Sequence, residues 1–457
     1  MKVVIIGCGP AGLVSALSLL DQNTSPNDFI LLENRPVFAH RPQVIGVLAA
    51  ASASLRRWNV LQKMEAGVSA RGGRVSWLWQ DHKSDAKVNV SWAETEGEFT
   101  GDLHTLTIDQ ASDDNMYLRN INYSTIGDVE RIMLDIVLER GVKIVRGVTT
   151  DLVWHKETEK YEVCYTTGSG ERISAGIPDL VINCEGASRK LVNQELIPRH
   201  GIKITPESPL SAYYVYVNIV FPTDDDRMKA VPPGLYFKKL NSDLLMLPVP
   251  KKPEAEQPIW VKLRPDMIQG SNLWKGAPAD STLDWSEGPR SKVIEDFATT
   301  QIRDFLETLF SKDLPVNFSL GAMTRPIQVR DTILSKTYAG TNIVCFGDSA
   351  RTGTFESGSG LNILLTVDTN ALKVLLSHLP NNVSAQAFEQ YHLALKKNAE
   401  GWHRRNRMQF YTPGVPPFVP YAEQYDGPRH FNNYDAFVEG VVKPAMRNKK
   451  RSSQPRL

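Results

Sequence analysis

The stretch that decides the fold is residues 1–35, which read MKVVIIGCGPAGLVSALSLLDQNTSPNDFILLENR. The unbroken apolar run from Val3 to Ile6 predicts a strand that is buried on both faces. The glycine-rich turn GCGPAG follows at residues 7–12. After it, apolar residues recur at the spacing of one helix face: Leu13, Ala16, Leu17 and Leu20. The stretch therefore predicts a strand, a tight turn and a helix in direct succession.

This succession is the context in which a G-x-G-x-x-G pattern predicts a dinucleotide site. Gly7 permits the tight turn, Gly9 lets the backbone approach a pyrophosphate, and Gly12 lets helix and strand pack closely. The pyrophosphate would lie on the free N–H groups at the N-terminus of this helix. The alternative is a glycine turn followed by an unrelated acidic residue.

A second predicted strand, 29–32, ends in Glu33, about 20 residues after the last glycine of the motif. That spacing is expected of the carboxylate that binds a ribose diol, and Asn34 and Arg35 follow it directly. Arg41 precedes the next predicted helix, where a basic side chain would meet a phosphate or would remain a surface arginine.

The composition is that of a globular chain of 457 residues, which suits two domains. The net charge of +1 gives no general attraction to nucleic acid, and no stretch approaches the length of about 18 apolar residues that a membrane span needs. The basic tail, 443–457, is a solvated terminus or contacts an anionic surface. The four cysteines have no zinc-ligand spacing and fit a reducing, cytoplasmic location: Cys8, Cys164, Cys184 and Cys345.

Two further buried strands are predicted, and each ends in a turn that combines an acid with a glycine. The first turn contains Glu185 and Gly186, and the second contains Gly347 and Asp348. The strands themselves are predicted at 178–184 and 341–346. Hydrophobic spacing also predicts helices at 46–60, 128–139, 291–310 and 385–410, a strand at 143–148, and an antiparallel sheet from 211–221, 234–249 and 258–263.

Three markers in this order resemble the FAD-dependent aromatic hydroxylases, the flavoprotein monooxygenases with a p-hydroxybenzoate hydroxylase-like fold. The first is the loop 7–12 with Glu33 and Arg35, and the second is the turn at Glu185. The third comprises Gly347, Asp348, Gly358, Gly360, Leu361 and Asn362. In that family the aspartate of the third marker holds the ribityl and pyrophosphate region of FAD, and the helix beyond it faces the flavin pyrimidine.

The resemblance implies an α/β fold: a Rossmann-type FAD-binding domain with an inserted α+β substrate domain on an antiparallel sheet. The FAD-binding domain is expected at 1–200 and 330–380, the substrate domain at 200–330 with part of 60–120 contributing, and a C-terminal segment at 381–457. The motifs and the resemblance together predict these FAD-binding residues: Gly7, Gly9, Pro10, Ala11, Gly12, Glu33, Asn34, Arg35, Arg41, Val148, Glu185, Gly186, Gly347, Asp348, Gly358, Gly360, Leu361 and Asn362.

The sequence also departs from the family pattern. Glu185 stands where an aspartate is usual, in a turn that serves both flavin and nicotinamide in relatives. Arg351 replaces a common histidine, and Phe355 replaces a common proline beside the flavin. Gly127 stands near the start of the helix predicted at 128–139, where the family often has an arginine. The predicted substrate-lining residues are Tyr213, Tyr236, Met246 and Phe355, of which the first three are, as strand residues, more often plain core.

The resemblance implies a monooxygenase: NAD(P)H reduces FAD, and a flavin C4a-hydroperoxide hydroxylates or epoxidises an aromatic or otherwise electron-rich small molecule. No catalytic side chain and no metal ligand is nominated. Since no second G-x-G-x-x-G occurs, NAD(P)H would bind transiently or a partner reductase would deliver electrons. The Trp-x-Trp-x-Ile-Pro pattern of flavin halogenases is absent. The alternatives are a flavin oxidase or reductase without oxygen insertion, and a non-catalytic protein on the same fold.

Overall fold

A six-stranded, mainly parallel sheet lies at the centre of the fold. The computed structural model describes residues 2–39, 41, 43–47, 49–67, 70–71, 74–80, 89–92, 95–98, 103–109, 122–206, 211–222, 234–240, 243–249, 256–264, 267, 292–310, 317–324, 326–354, 359–379 and 383–411. The strand order is Lys143–Arg146, Phe29–Glu33, Val3–Ile6, Leu180–Asn183, Ile343–Cys345 and Tyr338–Ala339. The first five strands are parallel to one another, and the last is antiparallel to its neighbour.

Continuous apolar sequence forms the middle of this sheet, as predicted. Every residue of Val3–Ile6, Leu180–Asn183 and Ile343–Cys345 is buried, which is the usual state of parallel strands. The helix Pro10–Asp21 contacts both the sheet and the helices Ile126–Glu139 and Thr369–Leu376. Strands from four distant parts of the chain are therefore held in one core.

Two of the predicted helices have ends that capping rules explain, and the second begins two residues before the predicted range 128–139. Pro10–Asp21 begins with proline in its first turn, where the missing N–H would have had no helical partner. Ile126–Glu139 begins after Thr125, whose Oγ1 accepts the N–H of Asp128 at 3.0 Å. Gly141, with φ +82°, follows the end of this helix in the left-handed conformation that glycine favours.

The predicted helix over 46–60 is wrong at its start. The chain forms a strand, Val44–Val47, and then two helices, Ala49–Arg57 and Val60–Gly67. The strand pairs with Asn122–Thr125, which also pairs with Ala70–Arg71. Two valines and an isoleucine in four residues favour a strand once a partner strand is available, and that partner lies some 75 residues further along the chain.

A second large sheet has eight strands. Its order is Ser319–Met323, Ser211–Val220, Glu256–Leu263, Asp243–Val249, Gly234–Leu240, Arg74–Gln80 and Leu103–Asp109, and Ile327–Arg330 pairs with Ser211–Val220 as well. Only the pairing of Gly234–Leu240 with Arg74–Gln80 is parallel. The helix Lys292–Phe310 packs on one face through Ile294, Ala298 and Ile302.

The remaining elements are short or lie beside these two sheets. Two small antiparallel sheets comprise Thr149–His155, Lys160–Thr166 and Arg172–Gly176, and Ile204–Thr205, Thr332–Leu334 and Arg351–Thr352. A hairpin joins Asn89–Trp92 to Thr95–Glu98. The other helical segments are Pro26–Asp28, Val192–Leu196, Ile197–His200, Gly347–Ser349, Ser359–Ile363, Leu364–Asp368 and Ala385–Tyr411. Among the residues described above, no helix has the length and apolar character to cross a membrane.

Candidate functional site

The three predicted turns lie at one edge of the parallel sheet. They follow the carboxyl ends of Val3–Ile6, Leu180–Asn183 and Ile343–Cys345, which are neighbours in the strand order. Ligands of open α/β sheets bind at this edge. The predicted motifs, although more than 300 residues apart at their extremes, are therefore brought together.

Close contacts between the turns leave room only for glycine. Gly7 has φ +96°, and a Cβ there would lie 2.4 Å from the carbonyl oxygen of Cys184, at the start of the second turn. Gly347 has φ +69°, and its Cβ would lie 2.6 Å from the Cβ of Ala11. The first turn is thus fitted against both of the others. The absence of a side chain at Gly12 lets the helix pack against Gly7 in the same way, because a Cβ added to Gly12 would lie 1.9 Å from the carbonyl oxygen of Gly7.

Gly9 has the opposite environment. Within the described part of the chain, no atom lies within 4 Å of the position that a Cβ would occupy. Gly9 is also the N-cap of Pro10–Asp21, and no side chain of a described residue caps this end of the helix. The first-turn N–H groups, beside an open space, form the environment that an anionic group occupies at a helix N-terminus.

The Glu33 carboxylate is fully engaged. Its Oε2 accepts the N–H of Cys8 at 2.7 Å and a longer bond, 3.3 Å, from Nη2 of Arg35. Its Oε1 accepts the backbone N–H and Nε of Arg35, both at 2.9 Å. Burial alone would raise the pKa of Glu33, but the hydrogen bonds and charge of Arg35 outweigh burial and hold that pKa below its usual value. Because a carboxylate accepts about four hydrogen bonds, a ribose hydroxyl at Glu33 must share or displace one of these donors.

A glutamate outside the predicted set of cofactor residues, Glu130, holds Arg41 at the site. The Nη2 and Nε atoms of Arg41 donate to Oε2 of Glu130 at 2.6 and 3.0 Å. Oε1 of Glu130 accepts Nη2 of Arg35 at 3.1 Å. The signal in the sequence is a charged residue at a core-facing position of an amphipathic helix, between Val129 and Met133.

Asp348 is exposed, yet protein atoms crowd around it. Their proximity raises the pKa of its carboxyl, and the charges of Arg351, Arg189 and Arg41 act in the opposite direction. Asp348 and Arg41, predicted from distant motifs, are therefore within electrostatic reach of each other.

Arg189 joins the second turn to the third. Its Nε donates to the carbonyl oxygens of Asp348 and Ser349 at 3.2 and 3.1 Å, and its Nη1 donates to Oγ1 of Thr332 at 2.9 Å. The side chain is 4% exposed, and Nη2 has no hydrogen-bond partner among the described residues. Arg146, at the end of its strand in the same sheet edge, likewise has a buried Nη1 with no such partner. Neither arginine belongs to the set predicted from the sequence.

Glu185 caps a helix. Its Oε2 accepts the N–H of Leu191 at 2.7 Å, and its Oε1 accepts the N–H of Val192 at 3.1 Å and Nδ2 of Asn183 at 2.9 Å. The carboxylate is committed to these donors. Gly186 has φ +82°, and no atom of the described residues lies within 4 Å of its Cβ position, so it is the part of this turn that a ligand can approach.

The third marker is supported by the C-terminal helix. Gly360, Leu361 and Asn362 lie in Ser359–Ile363, and Nδ2 of Asn362 donates to the carbonyl oxygen of Gly46 at 2.8 Å. Gly358 and Phe355 lie outside the described residues. Trp402, from Ala385–Tyr411, is 2.6 Å from the position of a Cβ on Gly353. It also lies under the guanidinium of Arg351, whose carbon is 4.9 Å from the ring centre.

The remaining predicted cofactor residues border the first turn. Asn34 is exposed next to Glu33. Val148 is buried, and its N–H donates to the carbonyl oxygen of Glu33 at 3.1 Å.

Three predicted substrate-lining residues do not share a face of the large sheet. Tyr213 and Tyr236 lie with the core under the helix Lys292–Phe310. Met246 lies on the opposite face, with Tyr214, Tyr216 and Trp260. Side chains alternate between the faces of a strand, so a set chosen by residue type alone mixes the two. Tyr236, 3% exposed, is a core residue, and these three side chains do not line one common pocket.

Comparison with known proteins identifies solved structures with a similar fold. No family model matches the sequence, and no curated protein matches it. The structure is similar to p-nitrophenol 4-monooxygenase from Pseudomonas putida, with a TM-score of 0.62 and 14% identity over 100% of this chain and 99% of that one. It is also similar to aklavinone-11 hydroxylase in complex with FAD and aklavinone, with a TM-score of 0.62 and 16% identity over 90% and 68% of the two chains.

A flavin-dependent brominase has the same TM-score, 0.62, with 14% identity over 99% of this chain and 98% of that one. The chain thus has the fold of flavin-dependent monooxygenases and halogenases, and the predicted resemblance to the FAD-dependent hydroxylases is confirmed for the fold. At these identities the particular activity of a neighbour does not transfer to this chain.

Proposed function

We propose that this chain is an FAD-dependent monooxygenase that uses NAD(P)H and O2 to oxygenate an aromatic or otherwise electron-rich small molecule. The observation that carries the proposal is the meeting of three glycine turns at one sheet edge, around an uncapped helix N-terminus. The similar structures include hydroxylating enzymes named for p-nitrophenol and aklavinone, and the latter was solved with FAD.

The residues present fit FAD. Gly9 leaves room for a pyrophosphate at the helix N-terminus, where unpaired N–H groups and the helix dipole stabilise negative charge. Arg189 and Arg146 each have a buried nitrogen with an unused donor among the described residues. Glu33 lies at the end of the second strand, the position expected of the carboxylate that binds a ribose diol, and Asp348 is exposed in the third turn.

FAD supplies the redox chemistry and the activation of O2, so the protein's contribution is binding, orientation and exclusion of water. Gly7, Gly12 and Gly347 fix the turns by contacts that a larger side chain would break. Arg189 ties the backbone of Asp348 to the second turn. Substrate would lie between this edge and the large sheet, on the face that carries Met246, since the helix Lys292–Phe310 covers the other.

The likeness to the brominase does not favour halogenation here. The sequence has Trp77-Leu78-Trp79 but not the isoleucine and proline that complete the halogenase pattern. Oxygen insertion is therefore preferred to halogenation as the proposed reaction.

The proposal is tested by the visible spectrum of the purified protein, first in air and then anaerobically with NADPH or NADH. The expected result is a flavin spectrum that bleaches, and an aromatic substrate that gains one atom from labelled O2. A colourless protein that takes up no added FAD would overturn the proposal. A flavin that bleaches and reoxidises without labelling any product would replace it with an oxidase or reductase.

A further inference from the structure

Glu130 is a buried carboxylate with an arginine on each oxygen. Its side chain is 1% exposed, whereas those of Arg35 and Arg41 are 23% and 19% exposed. One oxygen accepts Nη2 of Arg35 at 3.1 Å, and the other accepts Nη2 and Nε of Arg41 at 2.6 and 3.0 Å. A buried carboxylate is costly unless several charge-assisted hydrogen bonds compensate it, and these three meet that condition.

Four charged groups form a continuous series of ion pairs from Glu33, at the end of the strand Phe29–Glu33, to Arg41. Glu33 binds Arg35, Arg35 binds Glu130, and Glu130 binds Arg41. Arg41 is also held through its backbone, because the N–H of Gly127 donates to the carbonyl oxygen of Arg41 at 2.9 Å. The helix Ile126–Glu139 therefore sets both the backbone position of Arg41 and the direction of its guanidinium.

From this arrangement we propose that Glu130 is a positioning residue, which aims the Arg41 guanidinium at the negatively charged phosphates of the dinucleotide. The charge of Arg41 already acts on the carboxyl of Asp348, in the third turn. The inference rests on the proposed FAD site.

The direction of the change in FAD affinity distinguishes a positioning role of Glu130 from a purely electrostatic one. A buried negative charge close to a pyrophosphate repels it, so removing that charge should tighten FAD binding if Glu130 only contributes to the field. If Glu130 positions Arg41, its neutralisation weakens FAD binding although the site becomes more positive. Glu130→Gln keeps the shape and one carbonyl acceptor while removing the charge, which makes it the decisive variant.

The experiment titrates FAD into the folded apo-proteins and follows quenching of flavin fluorescence. Glu130→Gln is expected to weaken FAD binding about tenfold, the loss of one charge-assisted hydrogen bond. The matched control is Glu139→Gln, on the same helix, which removes an equal charge from an exposed side chain paired with Lys63. This control is expected to bind FAD as the wild type does.

A double-mutant cycle tests whether Glu130 acts through Arg41. Arg41→Gln alone should weaken binding about as much, and Glu130→Gln should add little in that background.

A merely structural role of Glu130 would lower the unfolding temperature of the apo-protein and leave the FAD affinity of the folded fraction unchanged. Equal or tighter FAD binding by Glu130→Gln, or additive effects in the cycle, would overturn the inference. If wild type and Glu139→Gln both fail to bind FAD, the proposed function fails first. If Glu130→Gln does not fold, the Arg41→Gln variant still tests the inference, because wild-type FAD affinity in that variant would by itself overturn it.

Discussion

Gly9 is the residue at which stability and binding are expected to change in opposite directions. A serine at the N-cap position can accept a backbone N–H through its hydroxyl, which glycine cannot do. The serine Cβ would meet no atom within 4 Å in the described structure. Gly9→Ser is therefore expected to leave the free energy of unfolding of the apo-protein unchanged or raised by a few tenths of a kcal/mol. The new side chain occupies the space and the N–H groups intended for a pyrophosphate, so FAD affinity falls by at least about tenfold.

Chemical denaturation and FAD titration measure the two quantities. Gly168→Ser is the control, because its Cβ position is equally open and lies in a turn on a separate small sheet. Undiminished FAD affinity in Gly9→Ser would show that the pyrophosphate does not lie at this helix end.

Glu33 and Arg35 make the stability of the protein depend on pH in the acid range. The pKa of Glu33 lies below 4.5 in the folded protein, so its pairing stabilises the fold above that pH, and the contribution is lost as pH falls through the folded pKa. Arg35→Gln is expected to lower the free energy of unfolding by about 2–4 kcal/mol at neutral pH, since it removes the cationic partner of Glu33 and one of the two arginines bound to Glu130.

The difference between wild type and Arg35→Gln should shrink as pH falls below 4.5, and urea denaturation between pH 7 and pH 3 measures it. Arg57→Gln, which removes an arginine that is 60% exposed in its pair with Asp21, should change stability by less than about 1 kcal/mol. A difference that stays constant over the whole range would contradict the assigned role of Glu33.

The helix Ala385–Tyr411 acts as a support for the third turn. Trp402 packs beside Gly353, and Asn398 donates Nδ2 to Oδ1 of Asp368 at 3.0 Å. The same aspartate forms the buried ion pair with Arg351. His403 adds a contact between its Nε2 and the carbonyl oxygen of Thr352 at 2.8 Å.

Trp402→Ala should therefore destabilise the protein by about 3–5 kcal/mol, because it leaves a cavity and exposes a buried ion pair. Leu393→Ala on the same helix, where the leucine is 54% exposed, should cost less than about 0.5 kcal/mol. Denaturant unfolding with FAD present and absent measures both variants. A cost below about 1 kcal/mol for Trp402→Ala would show that the helix is not a support for this turn.

Local pattern was sufficient for elements that carry their own signals. Val3–Ile6 is a continuous apolar run before glycines, and Ile126–Glu139 has an apolar stripe, an N-cap threonine and a terminal glycine. The strand Val44–Val47 was not predicted, because its partner Asn122–Thr125 is remote and a short apolar run fits a helix equally well. Glu130 and Arg189 were missed for a related reason, since their partners come from other motifs and only the folded chain brings them together.

At the scale of the molecule, the two large sheets have separate cores. The core of the parallel sheet includes the helices Pro10–Asp21 and Thr369–Leu376, whereas the core of the eight-stranded sheet includes Lys292–Phe310. Within the described part of the chain, the two clusters share no residue. The proposed FAD site lies on the first. A ligand stabilises the unit that binds it, by about 2.7 kcal/mol at a free concentration of 100 times its Kd.

FAD should therefore slow amide hydrogen exchange by about a hundredfold in Val3–Ile6, Leu180–Asn183 and Ile343–Cys345. Exchange in Glu256–Leu263, inside the other core, should stay within about threefold of the apo rate, because cores without shared residues can open separately. Exchange followed by mass spectrometry, with and without saturating FAD, compares the two sets in a single sample. Equal slowing in both would show that the sheets unfold as one cooperative unit, and slowing confined to the second would move the binding site away from the glycine turns.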